Sequence, residues 1–289
     1  MTFRRLNNKD HAVVGIVTTF LIIGLIVIIL SILQTTYIPK WMEQTESEHM
    51  DQVADQFAQL KFSIDTQAVF EKPDIPIATS IKLGSKEHPF LMSNRAYGSL
   101  EILTNASIIT ITDNESNTVN FSLGIIKYES SNAYFIDQSF IYETGATIVS
   151  QSEGNIMTIK PTFTAVKEKN TTLSFTIIDI SPIGGKRSIS GYGSYPIQTE
   201  FFSTESIIID NISSINFQTK YPNSWSNFFN RTLTNSGLNY NGYATNFTII
   251  RNDQEVLVDF SNNIMINIEI TYVTIGAQIA PGWIENIKG

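Results

Sequence analysis

An α+β fold is what this sequence predicts: a long N-terminal transmembrane and amphipathic helix, then a mainly antiparallel β sandwich or open barrel with one short helix. Three observations predict it. Ala12–Leu33 is an uncharged apolar run, and Met50–Ile64 repeats apolar residues at helical spacing. From about Pro73 onward the pattern becomes short β-branched runs separated by Asn, Gly, Ser and Asp. A chain of 289 residues has room for both the helix and one single-cored β domain. The implied organisation is a basic leader at 1–11, a transmembrane helix at 12–33, an amphipathic stalk helix at 34–72 kinked near Pro39, and a β-rich domain at 73–289.

The first element is AVVGIVTTFLIIGLIVIILSIL, 22 residues from Ala12 to Leu33. As a helix it spans roughly 33 Å, enough for a hydrocarbon core of about 30 Å. A cleaved secretory signal would have a shorter apolar region and an A-x-A-like site, whereas this run ends in Gln34-Thr35-Thr36-Tyr37. Arg4, Arg5 and Lys9 precede the span, and Glu43, Glu46, Glu48, Asp51 and Asp55 follow it. The positive-inside rule therefore predicts a cytoplasmic N-terminus and an external C-terminal domain. Tyr37 and Trp41 fall where an interfacial aromatic belt lies. Membrane lipid is thus one expected partner. Gly15, Thr18, Thr19 and Gly24 are small residues at which a second helix can approach.

The second element is the stalk. Met50, Val53, Phe57, Leu60 and Ile64 recur at spacings of three and four, a heptad-like stripe flanked by Glu48, Asp51, Asp55 and Lys61. Pro39 lacks an N–H and predicts a kink just outside the membrane. The stripe packs either on the chain's own β domain or against neighbouring copies, and its spacing is the same in both cases.

Strands are predicted at 78–83, 100–112, 119–127, 144–150, 155–159, 171–180, 206–210, 213–219, 244–251, 254–260 and 264–275. Such a series of short strands reads as a sandwich or open barrel. One helix interrupts it at Tyr221–Leu238. Its expected N-cap is Asn223 or Ser224, its apolar face Trp225, Phe228, Phe229 and Leu233, and its C-cap Gly237.

Composition narrows the function. The net charge is −8. Arg4, Arg5 and Lys9 against Asp10 leave +2 before the span, so the rest of the chain carries −10. An acidic outer domain speaks against nucleic acid and against docking on anionic lipid. The sequence has no cysteine, which removes disulfides, thiol chemistry and Cys-based zinc sites.

No local motif points to catalysis, to a cofactor or to a metal. His11, His49 and His88 stand apart and read as solvated side chains. Asp113, Asn114, Glu115 and Asn117 offer oxygens, but without the twelve-residue calcium pattern they read as a polar hairpin turn. Gly184-Gly185-Lys186-Arg187-Ser188 and Gly191-Tyr192-Gly193 lack phosphate-loop spacing and a following helix. No G-x-S-x-G elbow occurs. Asn-x-Ser/Thr sequons mark candidate glycosylation sites at Asn105, Asn114, Asn120, Asn170, Asn211, Asn230 and Asn246.

The N-terminal pattern resembles archaeal type IV pilin-like surface proteins of the class III signal type. The residues that carry it are Arg4, Arg5, Lys9-Asp10-His11-Ala12-Val13-Val14-Gly15, the run to Leu33, and the stripe from Met50 to Ile64. The resemblance implies cleavage after Ala12 by a membrane-embedded prepilin peptidase, leaving Val13 as the mature N-terminus. It also implies an amphipathic stalk running into a β head, and partners that are other pilin-like subunits or further copies of the chain. The head is similar to archaeal membrane proteins in the stretch from Ser131-Asn132-Ala133-Tyr134-Phe135 through Gln138 and Tyr142-Glu143-Thr144-Gly145-Ala146-Thr147-Ile148 to Gln151, and again at Tyr221-Pro222 to Trp225.

The expected function is therefore a non-enzymatic, membrane-anchored cell-surface protein, pilin-like in its assembly. An anchored binding or adhesion module that forms no filament is the alternative, and an anchored hydrolase a remoter one.

Overall fold

The computed structural model describes residues 8–85, 96–168, 170–240, 245–260 and 264–279, the first six of them by backbone alone. It opens with α1 (Asn8–Ile32), a π turn (Leu33–Tyr37) and α2 (Ile38–Phe70), which run on as one rod. From Val14 to Phe70 this rod is 57 residues long, and its apolar part is long enough to cross a membrane. Thr18 and Thr19 do not interrupt it, because their hydroxyls donate to the carbonyls of Val14 and Gly15 one turn back. Pro39 does not end it either. The irregularity falls one turn earlier, as a π turn in which the Ile38 N–H reaches back five residues to the Leu33 carbonyl. The rod stops where Glu71 turns left-handed (φ 51°), its N–H donating to Gln67 O at 3.0 Å.

Fourteen strands follow among the described residues: β1 (Ile77–Lys82), β2 (Tyr97–Asp113), β3 (Thr118–Ser131), β4 (Ser139–Glu143), β5 (Ala146–Gln151), β6 (Gly154–Ile159), β7 (Phe163–Lys167), β8 (Thr171–Pro182), β9 (Ser188–Gly191), β10 (Ser194–Ile209), β11 (Ile212–Gln218), β12 (Phe247–Arg251), β13 (Glu255–Phe260) and β14 (Ile266–Ile279). One sheet has the order β1-β10-β14-β8-β7; the other runs β12-β13-β11-β2-β3-β4-β5-β6, with β9 added beside β2. Among the named strands only β8 and β14 pair in parallel, and the other ladders between them are antiparallel. The predicted class therefore stands as an apolar N-terminal helix, curled antiparallel sheets and one short helix.

Several strands have no counterpart in the sequence reading: β4, β7, β9 and the first twelve residues of β10. Pro196, the third residue of β10, pairs with Ser80 of β1 just before the β14 ladder starts at Ile197. A proline is tolerated there because no second strand asks for its N–H. The short helix is α3 (Pro222–Asn235), and its start corrects the expected cap. Tyr221 is the N-cap without a side-chain hydrogen bond, and Pro222 takes the first helical position. Ser224 is instead spent on Asn155, whose Oδ1 accepts both its N–H and its hydroxyl. The far end matches expectation. Gly237 lies at φ 88°, and the N–H groups of Leu238 and Gly237 return to Leu233 O and Thr234 O, a Schellman closure.

The interior divides into two cores. One lies against α2 and gathers Phe57, Tyr128, Phe140, Ile197 and Val273; the other lies around α3 and gathers Trp225, Phe229, Phe217, Phe175 and Ile268. They part near a waist at Gly124 in β3. Its N–H donates to Asp179 Oδ1 at 2.7 Å, and a side chain there would collide with the Ile180 carbonyl. Opposite it, Leu103 pairs with Ile125 and Ser107 with Leu123, so three β2 residues bulge out against this one glycine.

Candidate functional site

The feature that distinguishes this chain is the passage from bare helix to covered helix. Every residue from Val14 to Tyr37 is exposed. At Ile38 burial begins, and Ile38 and Met42 are 7% and 3% exposed. The stripe residues Met50, Val53, Phe57, Leu60 and Ile64 are all buried inside the α2-facing core of the same chain. Phe57 lies 5.8 Å from the ring of Phe140. The bare part is apolar on all sides, as a helix facing hydrocarbon must be, and the covered part is apolar along one stripe.

Polar side chains on the covered face lock the helix to the head. Glu46, fully buried, accepts three backbone N–H bonds from the β3–β4 loop: Ala133 at 3.0 Å, and Tyr134 and Phe135 at 2.7 Å each. A carboxylate shared by three consecutive amides is a charge-assisted clasp. Gln56 Oε1 accepts the Lys82 N–H at 2.9 Å, and Gln67 Nε2 donates to Thr199 O at 2.7 Å. These clasps spread from Glu46 to Gln67 of α2, so head and helix are held along most of the shared length.

His49 belongs to the same face, and here the solvated reading is corrected. The ring is 3% exposed, lies 3.0 Å from the Lys82 carbonyl through Nε2, and sits beside Tyr128. Burial lowers its pKa to about 4, against a smaller raising effect of the Lys82 carbonyl. His11 and His88 lie outside the described side chains. So do those of Ala12 and Val13, whose backbone belongs to α1.

A second buried carboxylate lies in the other core. Glu143, at the end of β4, accepts Trp225 Nε1–H at 2.7 Å and the Thr219 hydroxyl at 3.0 and 3.1 Å. Burial raises its pKa to about 7, and the donated bonds from Trp225 and Thr219 only partly offset this. A cavity of about 270 Å³ opens over it beneath the β2 bulge, between Asn105, Lys127, Lys220 and Tyr221. Both carboxylate oxygens are already engaged, and Lys127 pairs with Glu129. The arrangement is a brace that ties β4 to α3.

The two buried groups give opposite pH dependences. Glu143 has a raised pKa, so its contribution is fully present below about pH 4.5 and is lost as pH rises through 7. His49 has a lowered pKa, so its contribution is fully present above about pH 6.5 and is lost as pH falls through 4. A shift of this size corresponds to about 3 kcal/mol. Glu143→Gln is therefore expected to gain about 3 kcal/mol relative to the wild type between pH 4.5 and 7, read from denaturant melts at several pH values. A difference that is flat with pH would contradict the assignment.

The remaining candidates are scattered. Asn105 lies on the bulge at φ 51°, its Oδ1 accepting the Ser122 hydroxyl, and Asn120 Oδ1 accepts the Thr110 hydroxyl. Asn105, Asn114, Asn120 and Asn170 are exposed, and Asn211 and Asn230 are half-buried. Asn246 is buried, its Oδ1 accepting the Asn239 N–H at 2.9 Å. Asp113 turns its oxygens inward to the N–H groups of Glu115 and Asn117 and to the Asn117 amide, which holds its carboxyl below the usual range. Those four residues form a β2–β3 turn. The glycine-rich stretches flank β9, which pairs with β2. Among the described residues no group of three or more His, Asp or Glu gathers as a metal site.

No protein-family model, no curated protein and no solved structure matches this chain.

Proposed function

We propose that the chain is a non-enzymatic, single-pass cell-surface protein, its N-terminus cytoplasmic and its β-rich head outside, serving as a pilin-like subunit or minor component of a surface assembly. The observation that carries this reading is the rod itself. A 24-residue helix, bare on every side, continues without a break into a helix clamped to the head. A subunit that transmits position from a membrane or filament core to a surface head needs that rigid continuity. Because α2 spends its stripe on its own head, contacts between copies in such an assembly fall to Val14–Tyr37 and to the outer faces of the sheets.

The burial of the stripe also supports a second reading, an anchored binding module that does not polymerise. N-terminal sequencing of the mature protein, with cross-linking through a cysteine placed in Val14–Tyr37, separates the two. The assembly reading expects a mature chain beginning at Val13 and cross-linked ladders. An uncleaved N-terminus with no ladder leaves the anchored module.

A further inference from the structure

The clasp at Glu46 fixes more than the helix. The loop it holds, Asn132–Asp137 between β3 and β4, is braced from within. The Asn132 N–H donates to Asp137 Oδ1 at 2.6 Å, its side-chain amide donates to Ile136 O at 2.9 Å, and the Ser130 N–H donates to Gln138 O. Phe135 packs on the α2-facing core, while Ile136 at the tip is 56% exposed. A rigid loop therefore presents one aliphatic side chain outward.

Helix geometry gives the height of this loop. Tyr37 is the last bare residue, and Glu46 lies nine residues further on, about 14 Å along the axis. Helical side chains lean toward the N-terminus, so the amides that cap Glu46 hang below its own level. This is the face on which Met42 and Ile38 are buried. With the hydrocarbon edge near Tyr37, the headgroup layer occupies about the next 5–8 Å, and a loop held below the level of Glu46 comes within about a side chain's length of it. Tyr37 and Trp41, both about half exposed, point to the opposite side of the helix at 100° per residue.

We propose that the loop Asn132–Asp137 is a second membrane contact, with Ile136 seated among lipid headgroups on the side of the helix opposite Tyr37 and Trp41. The head then stands on the bilayer at two points. The inference rests on the reading of Val14–Tyr37 as a membrane span. The partner is a neutral polar lipid interface, because Asp137 flanks Ile136 and the loop carries no Lys or Arg.

The chain has no cysteine, so single labels can be placed cleanly. The test uses the full chain, one copy per phosphatidylcholine nanodisc, with an environment-sensitive fluorophore on Ile136→Cys, Thr35→Cys or Glu115→Cys. The quencher is a lipid that carries a nitroxide on its headgroup. Glu115 lies in the β2–β3 turn, at the other end of β2 from the loop. The proposal expects loss of emission at positions 35 and 136 and none at 115. Quenching at 35, with 136 as bright as 115, overturns the proposal and leaves the span intact. Absence of quenching at 35 as well overturns the spanning reading itself. Protection of 136 that appears only in discs holding two copies assigns the loop to a neighbouring copy and also overturns the lipid contact.

Discussion

Phe57→Asp, alone or with Leu60→Asp, is expected to unfold the α2-facing half of the head. Both side chains are fully buried, Phe57 against Phe140 and Leu60 in the same cluster with Tyr142 and Val273. A carboxylate placed there lies among apolar side chains, and the nearby Lys61 is already paired with Asp65. The cost of an unpaired buried charge together with the lost aromatic packing is roughly 4 kcal/mol or more. The measurement is a thermal or denaturant melt of the full chain in nanodiscs. Phe62→Asp serves as the control, because Phe62 on the opposite face of α2 is 73% exposed. A normal melt in the Phe57 variant, with loss of cross-linking between copies, would move the stripe from the chain's own head to a neighbour.

Gly124→Ala is the second large effect. At most positions this exchange costs a few tenths of a kcal/mol or stabilises. At Gly124 the added methyl meets the backbone carbonyl of Ile180, which cannot rotate away as a flexible side chain can. Relief requires β3 and β8 to separate, and separation breaks the Gly124 N–H bond to Asp179 and opens the waist between the two cores. Overpacking against backbone of this kind is expected to cost about 3 kcal/mol or more. Gly154→Ala in β6, where nothing lies within 4 Å, should melt within about 0.5 kcal/mol of the wild type. Equal melting of the two variants would remove the waist from the account.

Residues whose role is written in a local pattern were legible. The apolar span, the heptad-like stripe, α3 and most long strands follow from periods of 3.6 and 2, and Gly237 follows from helix-closing chemistry. The residues that join distant elements carry no such pattern. Glu46, His49, Gln56 and Gln67 look like ordinary polar residues of an amphipathic helix. Their signal was positional, because Met42, Glu46, His49, Val53 and then Gln67 continue the stripe at steps of three and four, and a polar residue inside a buried stripe must have a partner. The partners, loop amides at 133–135, the Lys82 N–H and strand carbonyls at 82 and 199, lie 26 to 132 residues away. Glu143 was missed for the same reason, since its donors come from Thr219 and Trp225. β4, β7 and β9 are four or five residues each, too short for alternation to stand out from neighbouring loops.

The central claim is that the apolar helix spans a membrane and holds the β head on the outer side. A membrane-impermeant maleimide added to intact cells that express the full chain with Glu115→Cys tests it most directly. Glu115 lies at an exposed turn, and the chain offers no other thiol. Labelling without permeabilisation is the result the account predicts. Labelling only after the cells are lysed would place the head inside and contradict it.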